Sequence, residues 1–180
     1  MTQTDIFGNE LSADKNTEWY TPPHILEAVY HTLGTIDLDP CCKTIGEPNV
    51  KAAKYYRIDD DGLKQQWEGT VFLNPPYGES LTEAWVNKLV ESYASYDVTE
   101  AILLIPAKVE TQYWHTLATQ SPCWCAIKGR LSFISPFKAA ENQTSRFASA
   151  VVLLSDNIGT CRRFSEEFGK LGIIYGEWGV

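Results

Sequence analysis

The run Val71-Phe72-Leu73-Asn74-Pro75-Pro76-Tyr77-Gly78 joins an apolar segment to a set of groups that can hold a planar amine. Three apolar residues suit a buried strand, and the prolines end it because they fix φ and offer no backbone donor. What remains at the strand's carboxyl end is the Asn74 side chain, two proline carbonyls and the exposed aromatic face of Tyr77. The Asn74 oxygen and the Pro75 carbonyl would accept the two hydrogens of an amine, while Tyr77 stacks on the ring that carries it. The competing reading is a proline-rich turn closing a core strand.

Asn74 to Tyr77 resembles motif IV of the amino-methyltransferases, enzymes that use S-adenosylmethionine (SAM) to methylate the exocyclic nitrogen of adenine. Asp37-Leu38-Asp39-Pro40-Cys41-Cys42 resembles the acid-Pro-Ala-Cys form of methyltransferase motif I. In that motif a strand-end carboxylate meets the amino group of the SAM methionine, since an ammonium in a partly dry cleft needs charge compensation. For Asp39 alone an ordinary cap or turn role is the alternative, and Asp37 could simply face solvent. The glycine-rich loop that the wider superfamily carries after this strand is missing, and Gly46 lies too far along to replace it.

The order of landmarks is more specific than any one of them. Trp19-Tyr20-Thr21-Pro22 is followed by Asp37 to Cys42, Tyr55-Tyr56, Asp61-Gly62-Leu63, Trp67 and Asn74 to Gly78. Trp85 with Lys88, Leu104 to Lys108, and Gly129-Arg130-Leu131-Ser132-Phe133 complete the series. This order is similar to that of the small Dam-like DNA N6-adenine methyltransferases carried by bacteriophages and prophages, over roughly residues 18–155. The resemblance implies SAM as cofactor, adenine in DNA as acceptor, and Asn74, Pro75, Pro76 and Tyr77 as the catalytic motif. It implies a cofactor pocket lined by Trp19, Thr21, Pro22, Asp37, Asp39, Pro40 and Asn74, with Asp61 reading the adenine or ribose of the cofactor. It also implies a reduced Rossmann-like fold and, for a phage enzyme, the bacterial host cytoplasm.

Beside Tyr77, Lys108 and Arg130 are candidates for substrate contact because they follow expected strands. For these two, and for Lys128, plain solvated surface charge is an equal alternative. Trp85 and Trp114 fall on apolar helical faces and read as core. The five cysteines lack zinc-site spacing and the three histidines are scattered, so no metal is expected. Two other readings stay open. An RNA base or a protein glutamine offers a similar planar nitrogen, and the acidic composition leans slightly toward them; a non-catalytic SAM- or nucleotide-binding module is of another class.

These residues need elements to position them. Thr21 is placed to cap a helix with Leu26, Val29, Tyr30 and Leu33 inward and Gly34 at its end. A short strand over 35–39 follows, then a loop over 43–49. Ser80-Leu81-Thr82-Glu83 has the form of a capping box opening a helix with Leu81, Trp85, Val86, Leu89, Val90 and Tyr93 inward. Further strands are expected at 101–105, 125–127, 131–134 and 148–154, with an edge strand at 173–175. Helices are expected at 110–118 and after Thr160, which would act as a cap. Strands alternating with helices, several apolar throughout, predict an α/β domain with a mainly parallel sheet flanked by helices. Ligands of such sheets sit beyond the strands' carboxyl ends, where Asp39-Pro40 and Asn74-Pro75 both fall. We expect residues 1–17 to be a mobile segment and 18–180 to form one domain.

Composition bounds the rest. The chain has 180 residues, enough for one domain with a substantial core. No apolar run approaches the length of a membrane span, and residues 1–5 lack the basic and apolar regions of a secretory signal. An odd cysteine count fits a reducing cytoplasm. The net charge of −8, with 15 Lys and Arg, argues against a surface that grips nucleic acid everywhere. It predicts modest, salt-sensitive DNA affinity, because phosphate neutralisation supplies most of such binding. Oligomeric state cannot be read from the sequence.

Overall fold

In a computed structural model the described residues are 3–4, 10–11, 20–42, 48–134 and 143–176. In chain order they form β1 (Gln3–Thr4), β2 (Glu10–Leu11), α1 (Pro23–Leu33), β3 (Ile36–Asp39), β4 (Ala52–Tyr55), β5 (Gly69–Leu73) and α2 (Glu79–Ala94). There follow β6 (Val98–Pro106), α3 (Gln112–Gln120), β7 (Cys123–Ile127), β8 (Ser132–Phe133), β9 (Gln143–Thr144), β10 (Ser149–Leu154), α4 (Ile158–Phe168) and β11 (Gly172–Gly176). β1 and β2 pair antiparallel within the segment expected to be mobile; Trp19 and Gly46 lie outside the described residues.

Seven strands make one sheet in the order β11-β7-β10-β6-β5-β3-β4. Side chains alternate across it and feed two cores. On one face Phe72, Ile102, Leu104, Val151 and Leu153 pack with Ile25, Val29, Phe164 and Phe168. On the other, Val71, Leu73, Leu103, Ile105, Val152 and Leu154 pack with Trp85, Val86, Leu89, Tyr113 and Trp114. Trp85 and Trp114 are thus core residues, and α1 pairs with α4 as α2 does with α3.

The expectation of a mainly parallel sheet is corrected. β4, β3, β5 and β6 are parallel neighbours, but the β6–β10, β10–β7 and β7–β11 pairings are antiparallel. The mixed sheet follows from the connections. Parallel neighbours need a crossover, whereas β10 enters at the end where β7 leaves, so it must run back beside it. An all-buried strand such as Ser149–Leu154 reads the same in either direction.

Three helix starts also differ from expectation. Pro22, not Thr21, occupies the cap position of α1, with no side-chain capping bond. α2 begins at Glu79 after Gly78, so Ser80 lies inside the helix and caps nothing. Asn157 caps α4, its Oδ1 accepting from Gly159 N at 2.8 Å and Thr160 N at 3.3 Å, while Thr160 is buried in the first turn. Gly34 ends α1 as expected, at φ 80°.

Candidate active site

β3 and β5 are adjacent, with Leu38 opposite Val71. The chain passes from β3 outward to β4, then back across β3 to β5, so its direction of travel reverses between these two strands. Such a switch point opens a crevice beyond the carboxyl ends. Asp39 ends β3, and Asn74 follows Leu73 at the end of β5.

Both side chains are buried there, Asp39 at 5% and Asn74 at 8% exposure. With Tyr20, Thr21, Cys41, Cys42, Asn49, Val50 and Phe72 they line one small recess that opens to solvent. Cys41 N donates to Asp39 Oδ1 at 3.1 Å and fixes the carboxylate. Asn74 Nδ2 donates to Thr21 Oγ1 at 3.0 Å. Asn49, which no local pattern marked, joins Thr21 by two bonds: Thr21 N to Asn49 Oδ1 at 3.2 Å and Asn49 Nδ2 to Thr21 O at 3.1 Å.

Pro75 is buried and Pro76 partly so. The Pro76 carbonyl accepts from the Thr82 hydroxyl at 3.4 Å, and Thr82 N donates to the Gly78 carbonyl at 2.8 Å, which ties the turn to α2. Tyr77 does not present the fully exposed face that was expected. Its ring is half-buried and meets Phe133 edge to face, and its hydroxyl is buried without a hydrogen-bond partner among the described residues. Burial pushes the Tyr77 phenol far above its usual pKa, the nearby Tyr113 adding to the shift. Phe133 was legible only as part of a strand; its contact with Tyr77 depends on the chain's return through β8.

The remaining expected site residues are not all brought together. Pro22 and Pro40 are buried next to Thr21 and Asp39. Asp37 is not part of the cavity: it lies at the strand's other end, where its Oδ2 accepts from Thr70 N at 2.8 Å and Thr70 Oγ1 at 2.9 Å. It links β3 to β5 and lies close over Gly69, whose φ of +73° and lack of a side chain make room for it. Asp61 forms an ion pair with Lys64 at 2.7 Å. Its neighbour Gly62 lies hard against the Pro40 carbonyl, where a side chain would not fit, and accepts from Trp67 Nε1 at 2.8 Å. The Asp61-Gly62 turn is therefore seated beside the end of β3 by backbone contact. Lys108 Nζ lies 4.8 Å above the Phe147 ring, and Arg130 is exposed after Gly129. Among the described residues no group of three or more His, Cys, Asp or Glu side chains is placed to hold a metal.

A mixed α/β sheet with a polar recess beyond the ends of β3 and β5 places the chain in the open-sheet class, whose ligands bind at such a switch point. The sequence matches the family DNA N-6-adenine-methyltransferase (Dam) over residues 8–168, and the chain belongs to that family. It is accordingly a DNA adenine-N6 methyltransferase that uses SAM as methyl donor. No match was found among curated proteins. The cavity fits this donor chemically: a buried carboxylate held in place at a strand end is the group an amino-acid ammonium requires.

Proposed function

We propose that the cluster at the ends of β3 and β5 is where methyl transfer to adenine takes place. The observation that carries this is the convergence of Asp39, Thr21 and Asn74 on one cavity. SAM supplies an electrophilic methyl group on a sulfonium sulfur. Asp39 compensates the donor's ammonium and Thr21 walls the same cleft, while Pro22 and Pro40 back these two residues from the adjoining chain. Trp19 and Asp61 remain candidates for its adenosyl end, by family likeness.

The amine of adenine is a poor nucleophile because its lone pair is conjugated with the ring. Accepting its two hydrogens at Asn74 Oδ1 and the Pro75 carbonyl favours a pyramidal nitrogen with its lone pair available. Position and fixed dipoles in a dry site supply most of the rate. The methylated nitrogen is cationic and acidic, so its proton leaves without a strong base. Tyr77 stacks on the target base. In a duplex that base must leave the helix, and stacking offsets part of the loss. Lys108 and Arg130 meet phosphates near the mouth.

The parallel β4-β3-β5-β6 half, with its switch point, supports descent from a Rossmann-like methyltransferase fold. Residues 18–180 act as one domain, and the enzyme works in the cytoplasm. No helix among the described residues is long and apolar enough to cross a membrane.

Asn74→Ala tests the assignment. Single-turnover methylation should fall at least ~100-fold, as for loss of a group needed in the transition state, with SAM affinity and melting temperature little changed. Wild-type turnover by a folded, SAM-binding Asn74→Ala enzyme would overturn it.

A further inference from the structure

An asparagine amide can turn through 180° about its last bond, exchanging an acceptor oxygen for an N–H donor pair. Only one orientation of Asn74 serves the proposed reaction. With the oxygen toward the target amine, its hydrogens find an acceptor; with the nitrogen there, N–H faces N–H.

The hydroxyl of Thr21 bears on that choice. Asn74 Nδ2 donates to Thr21 Oγ1 at 3.0 Å across 53 residues of sequence. Thr21 is 1% exposed, so water competes little for this bond. Asn74 Oδ1 accepts no bond from the described residues, yet it is not among the buried atoms lacking a partner, so it remains reachable from the cavity. Thr21 is itself immobilised. Its backbone N–H and C=O are both taken by Asn49, at 3.2 and 3.1 Å. The orientation of Asn49 is not ambiguous, since a peptide N–H only donates and a carbonyl only accepts. Helix α1 does not use the hydroxyl either, because Pro22 takes the cap position.

We propose that Thr21, clamped by Asn49, is a positioning residue: its hydroxyl, which can accept or donate, holds one edge of the Asn74 amide, and when it accepts from Nδ2, as here, the Asn74 oxygen is the atom left to face the adenine amine. The inference rests on Asn74 being the amine acceptor. It gives Thr21 a part on the acceptor side of the site in addition to walling the cofactor cleft, and it gives Asn49 its part through Thr21.

The test compares Thr21→Val, which keeps the shape and removes the hydroxyl, with Thr21→Ser, which keeps the hydroxyl. Four readouts are taken: kcat on an adenine-containing oligonucleotide, SAM affinity by calorimetry, melting temperature, and the Asn74 side-chain amide signal of ¹⁵N-labelled protein, assigned by its loss in Asn74→Ala. Thr21→Val should lower kcat about 10- to 100-fold with a much smaller change in SAM Kd, and should shift the Asn74 amide signal. Thr21→Ser should restore most of the rate and the wild-type signal. Asn49→Ala should lower kcat in the same sense.

Undiminished kcat in folded Thr21→Val would overturn the inference. So would equal losses of rate and melting temperature in both Thr21 variants, which mark a merely structural role. If wild-type protein or Asn74→Ala shows the assignment of Asn74 to be wrong, the amide signal still reports whether Thr21 pins Asn74, and the two failures stay separate.

Discussion

Tyr77 and Phe133 meet edge to face with ring centroids 5.8 Å apart and planes at 85°. The contact fastens the Asn74–Tyr77 turn to β8, whose next residue, Ile134, bridges to Tyr20 beside Thr21. One aromatic pair thus links the proposed acceptor side of the site to the segment proposed to wall its cofactor side. The edge-to-face geometry is favourable on its own account, but it leaves the Tyr77 hydroxyl buried without a partner among the described residues.

Tyr77→Phe should therefore be stabilising. A buried hydroxyl without a partner costs ~1–3 kcal/mol, so the melting temperature should rise on its removal while methylation stays within a few-fold of wild type. Tyr77→Ala should lose both stability and acceptor binding, with stacking worth ~1–3 kcal/mol per base. Thermal melts and oligonucleotide affinities read the two effects separately.

Asp37 and Asp39 should separate cleanly by calorimetry. Asp39→Asn removes charge from the cavity and should weaken SAM binding by ~1.5–3 kcal/mol, the worth of a hydrogen bond to a charged group. Asp37→Asn alters the Asp37–Thr70 link between β3 and β5. It should leave SAM affinity unchanged, with only a small loss of stability.

Salt titrations test whether Lys108 and Arg130 meet DNA. Lys108→Ala and Arg130→Ala should each reduce the slope of log K against log salt by ~0.9 if the residue meets one phosphate. An unchanged slope would return that residue to ordinary surface charge.

The cysteines predict an alkaline instability. Burial pushes the Cys125 thiol up to about 12 and drives Cys123 higher still, with Cys161 adding to the latter. Above pH ~9 the unfolded chain releases these protons while the folded one keeps them, so the unfolded state binds fewer protons and stability falls as pH rises. The melting temperature should be insensitive to these thiols below pH 8 and decline from about pH 9. Cys125→Ala should soften that decline.

Much of the site was legible because it is local. Proline placement ends β5 at Asn74, and an acid ends β3, and both follow from residue type and spacing within a few positions. Apolar runs gave the buried strands and the inward faces of α2, α3 and α4. Caps were read less well: Thr21, Ser80 and Thr160 all have capping chemistry, but packing and chain entry put Pro22, Gly78 and Asn157 in those places.

By itself the sequence determined that strands end at Asn74-Pro75-Pro76-Tyr77 and Asp39-Pro40, and the resemblance of these ends to methyltransferase motifs is what proposes them as the site. The tertiary structure alone decided that β10 runs back between β6 and β7, because burial does not encode strand direction. It also decided that Asp37 faces Thr70 while Asp39 faces the cavity, since the strand extends to the crevice only at its carboxyl end. And it alone joined Asn49 to Thr21 and Thr21 to Asn74, bonds spanning 28 and 53 residues that no local pattern can announce.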